Sequence, residues 1–386
     1  MKATLMLTTI FIVFIFLTCG NNVETAKVEV IDGVKCIHCP AMPLHPKKTI
    51  VFEEELTIGE EDESGEIILF QPGFYLVDSK GNICIGDRSD QKIKIFDNNG
   101  KYLKSFAGKG SGPGEFQSIG RMYWLPDGRL IVTDYRSRRT SFFKTDGEFL
   151  YSFQWKTYLS GVYLTTDSSF TCEENNYGED KKLYIKTFNF KVEESLNYGE
   201  FAPVGFHTLR SGDMSFAISL PYDPKSVFTG DQKHYWLYHC LNDKYLVEVY
   251  DQNGKLFRKI DRPYEPVPFT EKDRDEYLKS FSRRDDNSVF TKMAKEVQLP
   301  SIKTITERMI VDEQSNLWVE TNEEKNEDGK TFTAYDIFNK DGYYEARVWS
   351  DIRPRLFANG KVYSYYRDKE TGLRVLKRYR VVWKEK

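Results

Sequence analysis

The sequence lacks a surplus of either charge, lacks the familiar catalytic signatures, and beyond its first residues lacks any long apolar run. Its 55 basic and 58 acidic residues leave a net charge of −3, so there is no bulk attraction to nucleic acid or to an anionic membrane surface. There is no G-x-S-x-G elbow for a nucleophilic serine and no H-E-x-x-H helix for zinc. The glycine-rich stretch "SFAGKGSGPGEFQ", Ser105–Gln117, places its glycines at 108, 110, 112 and 114. That spacing satisfies neither GxGxxG nor GxxxxGK[ST], and no helical pattern follows, so a structural crossing is preferred over a phosphate-cradling loop. Glycine there lets the chain turn tightly between two strands.

The one apolar run stands at the start. Lys2 supplies a positive residue, Leu5 to Leu17 is almost wholly apolar, and "FLTCG" follows. This run is short for a membrane span and reads as an export signal over residues 1–18. Phe16-Leu17-Thr18-Cys19 resembles the lipobox of bacterial lipoproteins, which implies cleavage before Cys19 and a lipid on its thiol. Gly20 stands where an aspartate would resemble an inner-membrane retention signal, which directs the expectation to the outer membrane, on either its periplasmic or its cell-surface side. Residues 19–48 show no period of 2 or 3.6 and read as an extended tether. Within them "CIHCP" lacks the histidine of a haem-attachment site after Cys39 and the βαβ surroundings of a redox pair. The expectation for Cys36 and Cys39 is a local disulfide or a pair of spectator thiols. Cys84, Cys172 and Cys240 fall in strand-like runs as small buried hydrophobes.

The rest of the chain copies itself. Setting Leu76–Phe106 beneath Trp124–Phe153 aligns Gly81 with Gly128, Asp87 with Asp134 and Gly100 with Gly147, in the spacing range of a four-stranded propeller blade. Each copy runs as short alternating strands joined by turn residues, with Asn-Gly or Asp-Gly at the tight hairpins. Looser copies follow, marked by "DQNG" at Asp251–Gly254 and "NKDG" at Asn339–Gly342. The last copy has three strands only, and the alternating segment Thr49–Gly59 has no copy of its own. Docked beside Leu373–Trp383 it completes a ring and hides two sheet edges. The sequence therefore predicts an all-β chain: a six-bladed β-propeller of four-stranded antiparallel blades over residues 49–386, with a small two-helix insertion at about 268–300.

"GKGSGPGEF" and "LPDGRLIVTDYRSRRTSFFKTDGEFL" resemble the NHL-type repeat, most closely over residues 67–153. The whole plan of lipobox, tether, six blades and helical insertion resembles the six-bladed propeller lipoproteins of gram-negative bacteria. That resemblance implies an envelope location and carries no activity with it. Six-bladed relatives in the wider superfamily include metal-dependent lactonases and lyases, though fold is a poor guide to chemistry.

Sites are expected on the face that holds the blade crossings and the loops between second and third strands. Aligned second strands bring Asp87, Asp134, Glu174, His239, Thr321 and Tyr366 to one level. Asp87, Asp134, Glu174 and His239 would suit a divalent cation, calcium through the carboxylates or zinc through the imidazole. A strand-end aspartate also commonly accepts hydrogen bonds from its own turn, and that structural role is the preferred reading. Arg88, Tyr135, Arg136 and Arg138 are candidates for a carboxylate or sulfate group. The insertion adds Lys272, Arg274, Lys279 and further basic residues as a lid or a solvated face. Aromatic residues, 15% of the chain, alternate along strands and read as packing between blades.

The reading that follows is a lipid-anchored, extracytoplasmic propeller that binds a protein or small ligand through its loop face without catalysis. The alternative is a metal-dependent hydrolase, lactonase or lyase at the channel mouth, and a third is a structural partner in an envelope assembly.

Overall fold

The turns set the plan. In the turn after the third strand of the first copy, Asp97 accepts the N–H groups of Asn99 and Lys101 through one carboxylate oxygen at 2.8 and 2.9 Å, while Gly100 takes the positive φ of 82° that closes it. The same turn recurs at Asp251 and at Asn339. Turns of this kind along the chain close one antiparallel sheet after another.

The computed structural model describes residues 25–59, 69–155, 158–176, 182–205, 207–211, 214–282, 295, 297–367 and 372–385. Residues 1–18 and Cys19, assigned above to the signal and the lipidation site, lie outside the described residues.

Six sheets follow one another along the chain, each running outward from its innermost strand. The first blade is Pro72–Val77, Ile83–Asp87, Lys92–Phe96 and Tyr102–Ala107. The second is Ile119–Trp124, Leu130–Asp134, Arg139–Phe143 and Phe149–Gln154. The third spans Tyr158–Thr165 to Glu194–Phe201, the fourth Ser226–Asp231 to Leu256–Asp261, and the fifth Thr306–Val311 to Tyr344–Ser350. The sixth has Leu356–Ala358, Lys361–Arg367 and Arg374–Glu385, and its outermost strand is Lys48–Ile58 from the other end of the chain. Ile50 faces Trp383, Phe52 faces Val381 and Ile58 faces Leu376 in that last pairing. The closing of the ring expected from Thr49–Gly59 is thus observed.

Blades hold together through apolar side chains on facing sheets. Between the fourth and fifth blades lie Tyr238, Val247, Val249, Ile260, Leu317, Phe338 and Tyr344, each fully buried large side chain stabilising by about 2 kcal/mol. The second and third blades meet through Phe142, Phe153, Trp155, Phe170 and Phe190. The aromatics are packing residues, as their alternation implies.

Three elements differ from the sequence expectation. Residues 25–48 are not a tether: Lys27–Ile31 and Val34–His38 form a hairpin whose second strand lies parallel to the outermost strand of the fourth blade. The turn is Asp32-Gly33, both at positive φ, a hairpin signal that overrides the weak alternation around it. Ile37 and Cys39 are buried against the core between the fourth and fifth blades. All five described cysteines are free thiols, so of the two alternatives for Cys36 and Cys39 the structure has the thiols. Second, a hairpin of His207–Ser211 and Met214–Ile218 stands between the third and fourth blades. Third, the insertion contains one helix among the described residues, Glu271–Ser282, and residues 283–294, where the second was expected, lie outside them. Thr270 caps the helix and Asp273 reaches back to the Thr270 N–H at 2.8 Å. Lys303 pairs with Asp273 at 2.6 Å and ties the helix start to the returning chain.

His38 fastens the N-terminal hairpin. Its Nδ1 lies 2.8 Å from Asp261 and its Nε2 lies 3.2 Å from Glu29. Partial burial disfavours the imidazolium, but the bonds to Asp261 and Glu29 prevail and raise the histidine above its ordinary value. Stabilisation by the charged form is therefore full below about pH 6.5, the unfolded value, and is lost as pH rises through the raised folded one. The urea midpoint of the wild type is expected to fall from about pH 6 to about pH 8.5 by more than that of His38→Gln. Equal falls in the two proteins contradict this latch.

Candidate functional site

The strand-end carboxylates come first, because they decide what the loop face can hold. Asp87 is fully buried. It accepts the backbone N–H groups of Phe70, Gln71 and Ser89 at 2.9–3.0 Å and pairs with Lys94 at 2.9 Å. Asp134 repeats this on Gln117, Ser118, Arg136 and Ser137. Each carboxylate thus clasps the chain entering its blade to the loop leaving its second strand. Burial works against the charge of Asp87, yet the Lys94 and backbone donors outweigh it and hold the carboxyl down at about 2.

The four residues proposed for a cation keep separate company. Glu174 pairs with Lys186 at 2.7 Å. His239 sits 3.2 Å from Glu248 and 3.1 Å from Ser226. Strand pairing puts Asp87, Asp134, Glu174 and Thr321 in equivalent places. In the fourth blade Leu237 opposes Tyr250, so Leu241 holds that place and the alignment of His239 is corrected by two residues. Among the described residues no three His, Cys, Asp or Glu side chains gather as a metal site would require.

The glycine-rich crossing is closed on itself. The Gly110 N–H is donated to the Phe116 carbonyl, the Gly112 N–H to the Glu115 carboxylate at 2.8 Å, and Arg139 binds the carbonyls of Ser111 and Glu115. A Cβ on Gly110 would meet that carboxylate.

Between the second and third blades opens a cavity of about 30 Å³. It is lined by Arg121, Tyr123, Thr133, Tyr135, Arg138 and Thr140, with Trp155, Phe170 and Cys172 forming its apolar floor. Arg121 comes from the innermost strand, where the chain bulges between Ile119 and Met122. The bulge needs Gly120: a Cβ there would stand 2.4 Å from Thr133 Oγ1 and 2.8 Å from the Tyr135 ring. Tyr123, Tyr135 and Tyr163 surround the Arg121 side chain, which is still reached by solvent. Phenols are uncharged at neutral pH and supply lone pairs, and the Tyr163 hydroxyl is itself donated to the Glu173 carboxylate. Burial pushes the Tyr123 and Tyr163 hydroxyls further up. The Asp134 carboxylate at the cavity edge is already shared among its N–H donors. Among the described residues no carboxylate pairs with Arg121.

Of the residues proposed for an anion, Tyr135 and Arg138 line this cavity. Arg136 is exposed and outside its lining. Arg88 occupies in the first blade the place of Tyr135 and lies over the Phe74 ring, 5.0 Å from its centroid. Arg121, Tyr123, Thr133 and Tyr163 were not foreseen. The available signal was Arg121 itself, a charged residue inside the otherwise apolar strand "IGRMYW".

These features define the class: a propeller with six blades, a clasped loop face and a small basic, phenol-lined cavity. A family model described as a 6-bladed beta-propeller, DUF5128, matches residues 74–235, and the protein is a six-bladed β-propeller. Among solved structures, a member of the duf4221 family from Bacteroides vulgatus shares 12% identity and a TM-score of 0.54, covering 88% of this chain and 100% of that one. A presumed exported protein from Bacteroides fragilis has 12% identity and a TM-score of 0.49, over 91% of this chain and 99% of its own. Virginiamycin B lyase from Staphylococcus aureus has 9% identity and a TM-score of 0.43, over 86% and 99%. At such identities the likeness concerns the fold alone. No curated protein matches the chain.

Asp87→Asn is expected to lower unfolding free energy by about 2 kcal/mol at neutral pH, since it weakens charge-assisted bonds inside the clasp. The wild type's advantage is full above the unfolded carboxyl value, about 3.9, and disappears as pH falls towards about 2. Urea titration of both proteins at neutral and acid pH measures it, and an unchanged midpoint at neutral pH removes the clasp from the account.

Proposed function

We propose that the protein is an exported, lipid-anchored propeller that binds an anionic group on its loop face, in the cavity beside Arg121. The observation that carries this reading is a solvent-exposed guanidinium at the cavity, held by the phenols of Tyr123 and Tyr135 and paired with no carboxylate among the described residues. A cation so placed gains most from an incoming anion, because two-point hydrogen bonding by guanidinium is strongest where water is partly excluded. Tyr135 and Arg138 at the rim add a hydroxyl and a second positive charge. The role is binding: the groups around the cavity donate hydrogen bonds and hold charge, and the rigid sheets keep them in place. The anchor rests on the lipobox-like segment ending at Cys19, which would hold the protein at the outer membrane with its propeller outside the cytoplasm.

Small anions supplied at constant ionic strength, acetate and sulfate among them, are expected to raise the thermal midpoint of the wild type in a saturable way. Arg121→Gln is expected to weaken that response at least tenfold. A wild type indifferent to every anion contradicts the binding reading. For the anchor, Cys19→Ser is expected to abolish labelling by palmitate and to release the protein from membranes, and membrane retention by the variant contradicts it.

A further inference from the structure

The propeller contains its own comparison for the cavity, because the second and fifth blades hold the same places in different states. Met122 opposes Val132 as Met309 opposes Val319, so Arg121 is the counterpart of Arg308 and Thr133 the counterpart of Glu320. On the third strand Thr133 faces Thr140, as Glu320 faces Tyr335. In the fifth blade the place is full. Glu320 is 5% exposed and receives Arg308 Nε and Arg353 Nε at 3.1 Å each, with the Tyr335 hydroxyl at 3.2 Å. The two guanidinium forks saturate both carboxylate oxygens, the geometry for which arginine is suited.

In the second blade the arginine is kept and the two long partners are gone. Thr133 replaces the glutamate, and its hydroxyl turns to the backbone of Arg121, accepting the N–H at 2.8 Å and donating to the carbonyl at 3.2 Å. Thr140 replaces the tyrosine, and its oxygen accepts the Trp155 indole N–H at 2.7 Å. Both threonines are thus held away from the guanidinium, and the space that a carboxylate and a phenol fill in one blade is the cavity in the other.

We propose that this cavity receives the carboxylate of a bound molecule, which takes the place that Glu320 occupies inside the fifth blade. The proposal rests on the anion-binding reading above and narrows it to one chemical class. About 30 Å³ exceeds what one water needs and leaves room for a small charged head group, and the filled place in the fifth blade identifies that group as a carboxylate. The remainder of the ligand passes outward between Tyr135 and Arg138. Its carboxylate belongs either to a small organic acid or to the C-terminus of a peptide, and these share the recognised group.

Calorimetric titration of the full-length protein at constant ionic strength tests this with acetate, succinate, trialanine with a free C-terminus, trialanine amide, sulfate and phosphate. At least one carboxylate is expected to bind saturably: the acids alone if the source is a small acid, free trialanine but not its amide if the source is a peptide. Arg121→Gln is expected to weaken that binding at least tenfold, and Thr133→Glu, which supplies its own carboxylate, to abolish it. Should Thr133→Glu fail to fold by circular dichroism, Arg121→Lys replaces it; this variant keeps the charge without the fork and is expected to lose at least fivefold. Binding of sulfate or phosphate with no carboxylate overturns the inference while the anion-binding reading stands. Carboxylate binding untouched by these variants overturns the location, and silence towards all anions removes both.

Discussion

Everything in this molecule depends on a strand from one end of the chain completing the sheet at the other. Without Lys48–Ile58 the sixth blade would present Arg374–Glu385 as an open edge of unpaired N–H and C=O groups, and no blade would be fixed relative to its second neighbour. The closing strand also packs forward: Leu56 and Ile58 meet the Gly100 turn of the first blade, and Arg378 beside them bonds Asn98. The N-terminal hairpin that precedes it buries Ile37 and Cys39 between the fourth and fifth blades. One segment thus seals the ring and staples its far side.

On that closed frame, small changes at repeated places have large local effects. Strand-end positions of the first two blades carry aspartates that consume backbone donors and fix the crossings. One residue earlier, Thr133 in the second blade and Glu320 in the fifth decide whether the adjacent arginine is satisfied within the fold or left facing space. Burying an arginine without a counter-ion is costly, and in the second blade Arg121 avoids that cost by staying exposed to solvent among phenols. The fifth blade removes it with an internal carboxylate.

Much of the fold was legible because the turn chemistry repeats. Gly81 with Gly128, Asp87 with Asp134 and Gly100 with Gly147 mark the first two copies at one interval, Asn-Gly or Asp-Gly hairpins mark later ones, and three C-terminal strands without a fourth call for the unassigned Thr49–Gly59. Legibility failed where local signals were short. Asp32-Gly33 opens a hairpin that alternation alone does not announce, since Val30 and Ile31 are exposed. In the fourth blade the aligned aspartate is absent, leaving Leu241 in its place, and without that marker His239 slid into register by two residues. Arg136 and Arg138 look alike in "YRSRR", yet Arg138, like Arg139, lines the cavity and Arg136 does not. Arg121 escaped notice because its importance lies in the two threonines opposite it, and residues made important by smallness leave no motif.

The central claim is the sealing of the ring by the N-terminal strand, and hydrogen exchange followed by mass spectrometry tests it most directly. Residues 48–58 and 374–385 should exchange slowly and together in the full chain, and removal of residues 1–58 should expose 374–385 to fast exchange. Fast exchange of 48–58 in the intact protein, or unaltered protection of 374–385 after the truncation, would contradict the account.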